Sequence, residues 1–313
     1  MFGRTFGFGL ALTAILLWAL FSNVAKSLFQ QGMGVTELTA VRITVAAALL
    51  WLVALAFRPA PLRLAEAGPT RRPLGDRLLL AAFGLSLWAM MFTFYKAIFH
   101  LGVALGIILQ FTHPLLIILF GAIVLKERFT PSAGASVACI LVGVVLLVQL
   151  FETQQVSANW TGIGWGLASA VANAAYLVVG RYVQERYRTG PSLLWGFGIA
   201  TLLAIGWGAA FDPFRIDTIV GSATMLINSL GISLFGTLGA FALMLLATHY
   251  ISPLEVGLTS GLEAVFAGLL AMWWFGETLS GLQLTGAALV IGGVSITYLK
   301  GVHAPSSDTA RDC

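Results

Sequence analysis

The chain has 313 residues, of which 58% are hydrophobic and only 10% are charged, whereas about 25% of residues are charged in an average soluble domain. Its 17 basic and 13 acidic residues are too few to coat a water-soluble protein of this length, so the composition excludes a soluble globule. The formal net charge of +4 is spread over short loops, which argues against a nucleic-acid partner. The two cysteines, Cys139 and Cys313, offer no disulfide framework.

Runs of about 18 or more apolar residues recur along the whole chain, and such runs are typical of transmembrane helices. We predict ten of these helices, and therefore an all-α membrane protein. In chain order the predicted helices cover residues 8–24, 38–57, 78–94, 101–125, 133–150, 163–180, 193–211, 225–247, 254–275 and 282–299.

The basic residues are distributed unequally between the two ends of these spans. With the N-terminus in the cytoplasm, 13 of the 17 Lys and Arg residues fall on the cytoplasmic side, and four fall on the outer half: Lys26, Arg42, Lys96 and Arg215. The positive-inside rule therefore predicts that both termini are cytoplasmic. Because Lys26 and Arg42 lie near the outer ends of their spans, we expect their side chains to snorkel to the membrane surface.

A shift of the sequence by 150 residues superposes the fourth and fifth spans on the ninth and tenth. Glu127, which follows the fourth span directly, then falls on Glu277, and His113 falls on Glu263. This pattern predicts that a five-helix unit is duplicated, with Glu127 and Glu277 marking the repeat motif. Because five is an odd number, the second copy enters the membrane from the opposite side. Inverted repeats of this kind are typical of secondary transporters, which place the substrate near the bilayer midplane.

The duplication divides the chain into three parts. We predict a first five-helix repeat at residues 1–150, a second and inverted repeat at 151–301, and a disordered cytoplasmic tail at 302–313.

Four short segments give this chain a resemblance to a known family. They read QFTHPL at 110–115, LKERFT at 125–130, EAVF at 263–266 and FGETLS at 275–280. These segments are similar to the mid-helix Glu-Pro and helix-ending Gly-Glu patterns of the ten-helix EamA-type members of the drug/metabolite transporter superfamily. The chain departs from those patterns at His113, Lys126 and Ala264. Within the superfamily it most resembles the aromatic amino acid and paraquat exporter branch.

The resemblance implies a fold and a function. It implies a secondary transporter in the cytoplasmic (inner) membrane that exports small metabolites by alternating access through a central cavity. Amino acids are the leading candidates for its cargo. The alternatives are a multidrug or quaternary-cation exporter and a channel-like metabolite facilitator. The implied partners are a small-molecule substrate and the lipid bilayer, and the oligomeric state is left open.

Ionisable residues inside the spans are few, and each is costly enough in lipid to be a functional candidate. Glu263 lies near the middle of the ninth span, and His113 near the middle of the fourth. One interpretation is that they contact substrate or couple transport to protons. The other is that each satisfies backbone or hydroxyl groups of neighbouring helices, since Pro114 frees carbonyl groups one turn before it.

Polar residues recur along one face of several spans. Glu255, Thr259 and Glu263 follow each other at intervals of four, and we expect them to form one stripe on the ninth helix. A common cavity is the simplest explanation for several such stripes together with aromatic residues deep in the spans. The predicted cavity residues are Trp18, Ser86, Trp88, Tyr95, Gln110, His113, Asn173, Tyr176, Thr237, Thr259 and Glu263.

Enzyme motifs are missing from the sequence. The aspartates all lie outside the predicted spans, which leaves no intramembrane aspartate pair, and neither an HExxH zinc motif nor a GxxxxGK[ST] nucleotide-binding loop occurs. We therefore predict a protein that is not an enzyme and that needs no cofactor or metal.

Overall fold

A computed structural model describes residues 2–56, 73–126, 129–147, 160–211, 222–275 and 280–302, and nearly all of them are helical. The α-helices in these ranges are, in chain order, α1 (Phe2–Gln30), α2 (Val35–Ala56), α3 (Pro73–Gln110), α4 (His113–Phe120), α5 (Pro131–Leu147), α6 (Trp160–Arg186), α7 (Thr189–Phe211), α8 (Ala223–Gly231), α9 (Ala240–Ala247), α10 (Pro253–Thr259), α11 (Leu262–Phe275) and α12 (Gly281–Lys300). A π-helical segment, Gly121–Leu125, extends α4, and a second one, Ile232–Gly239, joins α8 to α9.

Most of these helices are long and apolar enough to cross a bilayer. Within the described residues eight stretches meet that description, namely Gly3–Phe29, Val35–Ala56, Arg77–Leu101, Gly106–Val124, Trp160–Arg186, Thr189–Phe211, Ala223–Ala247 and Gly281–Lys300. Pro131–Leu146 is a shorter apolar helix, and α10 and α11 together cover the predicted ninth span in two pieces. The prediction of an all-helical membrane protein is confirmed, and the structure is compatible with ten crossings.

Helix α3 contains two crossings because it doubles back on itself. A methyl group added to Gly106 lies 3.3 Å from the backbone nitrogen of Ile98, whereas a straight helix separates residues eight positions apart by about 12 Å. The chain therefore reverses between Ile98 and Gly106, at the boundary predicted between the third and fourth spans.

The helices pair reciprocally between the first and second parts of the chain. Helix α2 packs on α7, and α5 packs on α12. Helix α6 packs on α3 and α4, while α1 packs on the equivalent second-half elements, which are the π-helical segment Ile232–Gly239, α9 and α11. The first helix of each half is thus inserted against the third and fourth helices of the other half.

Glycines allow α5 and α12 to approach closely. A methyl group on Gly143 lies 2.7 Å from the carbonyl oxygen of Gly286, and one on Gly293 lies 2.9 Å from the carbonyl oxygen of Ser136. The hydroxyl of Ser136 donates to the carbonyl of Gly293 across this interface. Small residues and hydrogen bonds of this kind hold helices together where lipid removes the hydrophobic driving force.

The fourth and ninth spans are both broken, which corrects the prediction that each is continuous. One break lies at Phe111–Thr112 and the other at Ser260–Gly261. The 150-residue shift places these breaks within one residue of each other. At the first break Pro114 has no N–H to donate to the carbonyl of Gln110, and the imidazole Nδ1 of His113 lies 3.0 Å from that carbonyl oxygen instead.

Hydroxyl side chains satisfy other carbonyl groups at the breaks. Thr112 Oγ1 donates to the carbonyl of Leu109 at 2.7 Å, and Ser260 Oγ donates to the carbonyl of Gly257 at 2.6 Å. The second break also corrects the predicted polar stripe on the ninth helix, because the helix does not run continuously from Glu255 to Glu263.

Candidate substrate site

Two adjoining cavities of about 60 and 480 Å³ are lined by α1, by α11 and by the parts of α3 before and after its reversal. The larger volume falls within the range of about 300–1,000 Å³ that is usual for small-molecule sites. Both cavities are lined by Ser22, Phe94, Tyr95, Gln110, Phe111 and Glu263. Residues from the first and the second part of the chain therefore both contribute to the wall, and Gln110, Phe111 and Glu263 lie at the two helix breaks.

The larger cavity lies toward the end of the bundle opposite to the N-terminus. On α1, which runs from Phe2 to Gln30, its lining begins at Ser22 and extends to Phe29. Most of the wall is apolar, with Ala25, Ile98, Ile107, Ala264 and Ala267 among its members. This end of the protein thus offers an apolar chamber with polar groups at its inner boundary.

Arg42 forms part of the wall of the smaller cavity. Its side chain is buried, with 8% exposure, and its Nε donates to Thr237 Oγ1 at 2.8 Å. Its Nη1 donates to the Tyr95 hydroxyl, and the guanidinium lies 5.5 Å from the centroid of the Tyr95 ring. Its Nη2 donates to the carbonyl oxygen of Gly236 at 3.4 Å.

The prediction that Arg42 snorkels to the membrane surface is therefore wrong. Arg42 lies seven residues after the start of α2 at Val35, or about 10 Å along the helix. It turns toward the π-helical segment Ile232–Gly239, where a hydroxyl and a carbonyl group accept its protons. A cation inside an apolar span was the sequence signal for this role, because such a cation needs partners within the protein.

Glu263 is the second residue of α11 and lines both cavities. Its Oε1 accepts a hydrogen bond from Ser22 Oγ at 3.5 Å. Glu263 and Arg42 face the same cavity and their charges interact across it, but their side chains are not in contact. The described side chains of the site thus include one positive and one negative group with space between them.

His113 lies behind the cavity wall and is completely buried. Its Nδ1 is 3.5 Å from Nδ2 of Asn173, and Asn173 and Gln110 line the smaller cavity. On the other side of the ring, a methyl group on Gly257 lies 2.9 Å from Nε2. The imidazole therefore supports two cavity residues and packs tightly against the backbone of α10.

The structure brings several other predicted residues together around this site. Trp18 lines the smaller cavity and makes an edge contact with Phe241 at 5.1 Å between ring centroids. Tyr176 lies behind Phe241 and donates its hydroxyl to the Phe241 carbonyl at 3.1 Å. Thr237 binds Arg42, as described above.

Three predicted cavity residues lie elsewhere. Ser86 donates to the carbonyl of Phe83 in its own helix, and Thr259 donates to the carbonyl of Glu255. Trp88 stacks on Phe92 at 5.2 Å between centroids. Glu127 and Glu277 lie outside the described residues.

The sequence interpretation did not select several residues that line the cavities. These include Ser22, Asn23, Met90, Met91, Phe94, Phe111 and Ser260. Most are apolar or small and cannot be distinguished by composition from residues that face lipid. Ser22 and Asn23 form a polar pair within the predicted first span, near its end, and this was a usable signal.

A third cavity, of about 340 Å³, lies at the other end of the bundle. Arg181, Glu185, His249 and Glu255 lie in its wall. Next to it, Arg4 of α1 forms an ion pair with Glu255 of α10 at 2.8 Å. Arg4 also donates to the carbonyl oxygen of Thr297 in α12 at 2.8 Å. Within the described residues, no group of three or more His, Cys, Asp and Glu side chains is arranged to hold a metal ion.

A bundle of apolar helices that surrounds a cavity between two broken helices is the architecture of a membrane transporter. The EamA-like transporter family matches residues 5–149 and again residues 160–299, and the chain belongs to this family. The predicted family resemblance is thereby confirmed, as is a multi-pass protein of the inner membrane that is a transporter and not an enzyme.

Named relatives are similar over most of the chain. The threonine/homoserine exporter RhtA of Escherichia coli (strain K12) is 27% identical over 284 residues, which is 89% of this chain and 88% of that protein. RhtA of Salmonella typhimurium (strain SL1344) is 26% identical over 271 residues, or 86% and 83% of the two chains. The uncharacterized transporter YdfC of Bacillus subtilis (strain 168) is 27% identical over 218 residues, or 67% and 68%.

A solved structure has the same fold. It is described as "Crystal structure of protein", and it superposes with a TM-score of 0.76 over 93% of this chain and 96% of that chain, at 21% sequence identity.

Proposed function

We propose that the protein exports small amino acids across the inner membrane by alternating access. The main support is the cavity of about 480 Å³ at the two helix breaks, whose wall is built from both family-matched segments. Broken helices at corresponding positions in two repeats are the usual location of a substrate site in secondary transporters.

We further propose that the two segments are inverted five-helix repeats with cytoplasmic termini, at residues 1–150 and 151–301. The reciprocal packing of α1 and α6 supports this arrangement, as does the double match to the family. In this orientation the larger cavity faces the exterior. The Arg4–Glu255 ion pair lies at the cytoplasmic end and favours closure there. Opening alternately at the two ends then requires this pair to separate.

The RhtA relatives are named as exporters of threonine and homoserine, and this supports an amino acid as the cargo. The cavity volume suits one molecule of this size. A quaternary cation is disfavoured because it would leave the buried guanidinium of Arg42, which lines the adjoining smaller cavity, without a counter-charge. A channel-like facilitator is disfavoured by the separation of the two large cavities into opposite ends of the bundle.

Uptake by proteoliposomes tests this function. Purified protein is reconstituted and given labelled threonine, homoserine and leucine, and methyl viologen as the cation, with and without an imposed proton gradient. We expect saturable uptake of at least one amino acid and none of the cation. Uptake of methyl viologen alone contradicts the proposal, and flux that does not saturate supports a channel.

Two variants in which an alanine is replaced by tryptophan test whether transport uses the cavity. Ala267→Trp fills the larger cavity, because Ala267 lies in its wall, and we expect it to abolish uptake. Ala288→Trp adds the same bulk on the exposed face of α12 and should transport like the unmodified protein. Equal activity of the two variants contradicts this location of the substrate pathway.

A further inference from the structure

No acidic side chain in the part of the chain that the structure describes contacts the Arg42 guanidinium, and the Glu263 carboxylate interacts with its charge only from across the cavity. The hydrogen-bond acceptors of Arg42 are the Tyr95 hydroxyl, the Thr237 hydroxyl and the carbonyl of Gly236, all of them neutral. An arginine inside a span normally pairs with an acidic group or with backbone carbonyls, because burying an uncompensated charge is expensive. The side chain is therefore held in position by neutral groups while its charge remains available to an anion.

Glu263 is the corresponding negative group of the site, and its charge likewise has no contacting partner of opposite charge among the described side chains. Its only side-chain hydrogen bond within the described residues comes from the Ser22 hydroxyl, at the long distance of 3.5 Å. None of the arginine and histidine side chains that the structure describes contacts it as an ion pair, and Arg42 interacts with it only across the cavity. A carboxylate in this position has free acceptor capacity that faces the cavity, and it is complementary to a cation with N–H groups.

From this juxtaposition we propose that Arg42 and Glu263 recognise the two charged ends of a zwitterionic amino acid. The Arg42 guanidinium binds the α-carboxylate of the substrate, for which its planar fork of donors is well suited. The Glu263 carboxylate binds the α-ammonium group. This inference rests on the proposed export of amino acids and assigns the recognition of the substrate backbone to two named residues.

The remainder of the wall indicates where the substrate side chain lies. The larger cavity adjoins the charged pair and is lined by Ala25, Ile98, Ile107 and Ala267. Ser22, Asn23 and Gln110 add hydroxyl and amide groups near Glu263. An uncharged side chain, whether apolar or with one hydroxyl, fits this surface, whereas the described side chains of the wall offer no counter-charge to a second charge on the substrate.

Analogues that lack one charge test the inference without any substitution. Labelled L-threonine is the probe, and L-threoninamide and N-acetyl-L-threonine are the competitors. The first has no carboxylate and the second has no ammonium group. We expect each to compete about tenfold or more weakly than threonine, because each leaves one charge in the wall unpaired. Competition by both analogues at the strength of threonine overturns the inference.

Single substitutions then assign each end of the substrate to a residue. Arg42→Gln should make threoninamide as good a competitor as threonine while still rejecting N-acetylthreonine. Glu263→Gln should make N-acetylthreonine as good a competitor as threonine while still rejecting threoninamide. Arg42→Lys keeps the positive charge and should still prefer threonine to the amide. Arg188→Gln removes a cation from an exposed position between α6 and α7 and should leave both preferences unchanged.

The outcomes separate this inference from the proposed function. If the unmodified protein transports no amino acid, the proposed function fails. If it transports amino acids but each Gln variant rejects the analogues as before, the function stands and the recognition by Arg42 and Glu263 is wrong. Monodispersity and the thermal melting temperature of each variant show whether it is folded. If a Gln variant is misfolded, the inference is tested by the competition of the analogues on the unmodified protein and by Arg42→Lys.

Discussion

Arg4 and Glu255 join the first helix to the start of α10, with 2.8 Å between Arg4 Nη2 and Glu255 Oε1. Glu255 also caps α10, because its Oε2 accepts from the backbone N–H of Ser252 at 2.9 Å. Glu255→Gln keeps an acceptor for that cap and removes only the charge. Since the Arg4 side chain is 36% exposed, solvent screens the pair, and we expect a loss of about 1 kcal/mol in stability.

Thermal unfolding in detergent measures this loss. The matched control is Glu185→Gln, which breaks the more exposed pair between Arg181 and Glu185 at positions i and i+4. That pair contributes about 0.3–0.5 kcal/mol. The control should therefore lower the melting temperature less than Glu255→Gln does. An equal effect of the two substitutions contradicts a structural role for the Arg4–Glu255 pair.

The contact between α5 and α12 leads to a second prediction. Gly293→Ala places a methyl group 2.7 Å from Ile140 Cγ1 and 2.9 Å from the Ser136 carbonyl oxygen. The Ser136 carbonyl belongs to the backbone and the Ile140 side chain is buried in the interface, so neither can easily move aside, and we expect a destabilisation of about 1–3 kcal/mol. The adjacent Gly292→Ala meets nothing within 4 Å and should be neutral or slightly stabilising, because alanine favours helix. The difference in melting temperature between these two variants is the measurement.

The family fold was predictable from the sequence, because lipid requires long apolar helices and these leave a clear pattern. The charge pattern around Glu127 and the equivalent Glu277 suggested the repeat. The helix breaks were harder to locate: Pro114 indicates the first, whereas the second has only Gly261 and no proline. A periodicity argument assumes a continuous helix, and for this reason it placed Glu255 and Glu263 on one stripe.

The candidate site was only partly predictable for a related reason. Glu263 and Gln110 were recognised because polar groups in a span need an explanation. Arg42 was misjudged because the distance of a residue from a span end does not show which neighbour it faces. Its position depends on the π-helical segment Ile232–Gly239, which supplies Gly236 and Thr237 as acceptors. A π-helical segment of this kind has no simple sequence signature.

The Tyr95 hydroxyl accepts from Arg42, and this contact leads to a third prediction. Tyr95→Phe removes one neutral acceptor and leaves the guanidinium less well oriented. Hydrogen bonds to charged groups contribute about 1.5–3 kcal/mol to stability, so we expect a lower melting temperature together with a rise of about tenfold or more in KM for threonine. Tyr298→Phe is the control, because its hydroxyl has only an exposed contact of 3.4 Å with Thr5. Similar KM values for the two variants contradict a role of Tyr95 in positioning Arg42.

The last prediction concerns the coupling of transport to protons through Glu263 or His113. If Glu263 carries the proton, Glu263→Gln should lose accumulation driven by a proton gradient while retaining exchange of labelled for unlabelled threonine at raised concentration. Exchange needs only the alternation of the cavity, whereas accumulation needs a group that binds and releases the proton. His113 has a weaker claim, because it is buried behind Gln110 and Asn173 and not in the cavity wall. His113→Gln should therefore still accumulate threonine. Accumulation that survives in Glu263→Gln and is lost in His113→Gln reverses this assignment, and accumulation that survives in both removes these residues from the coupling.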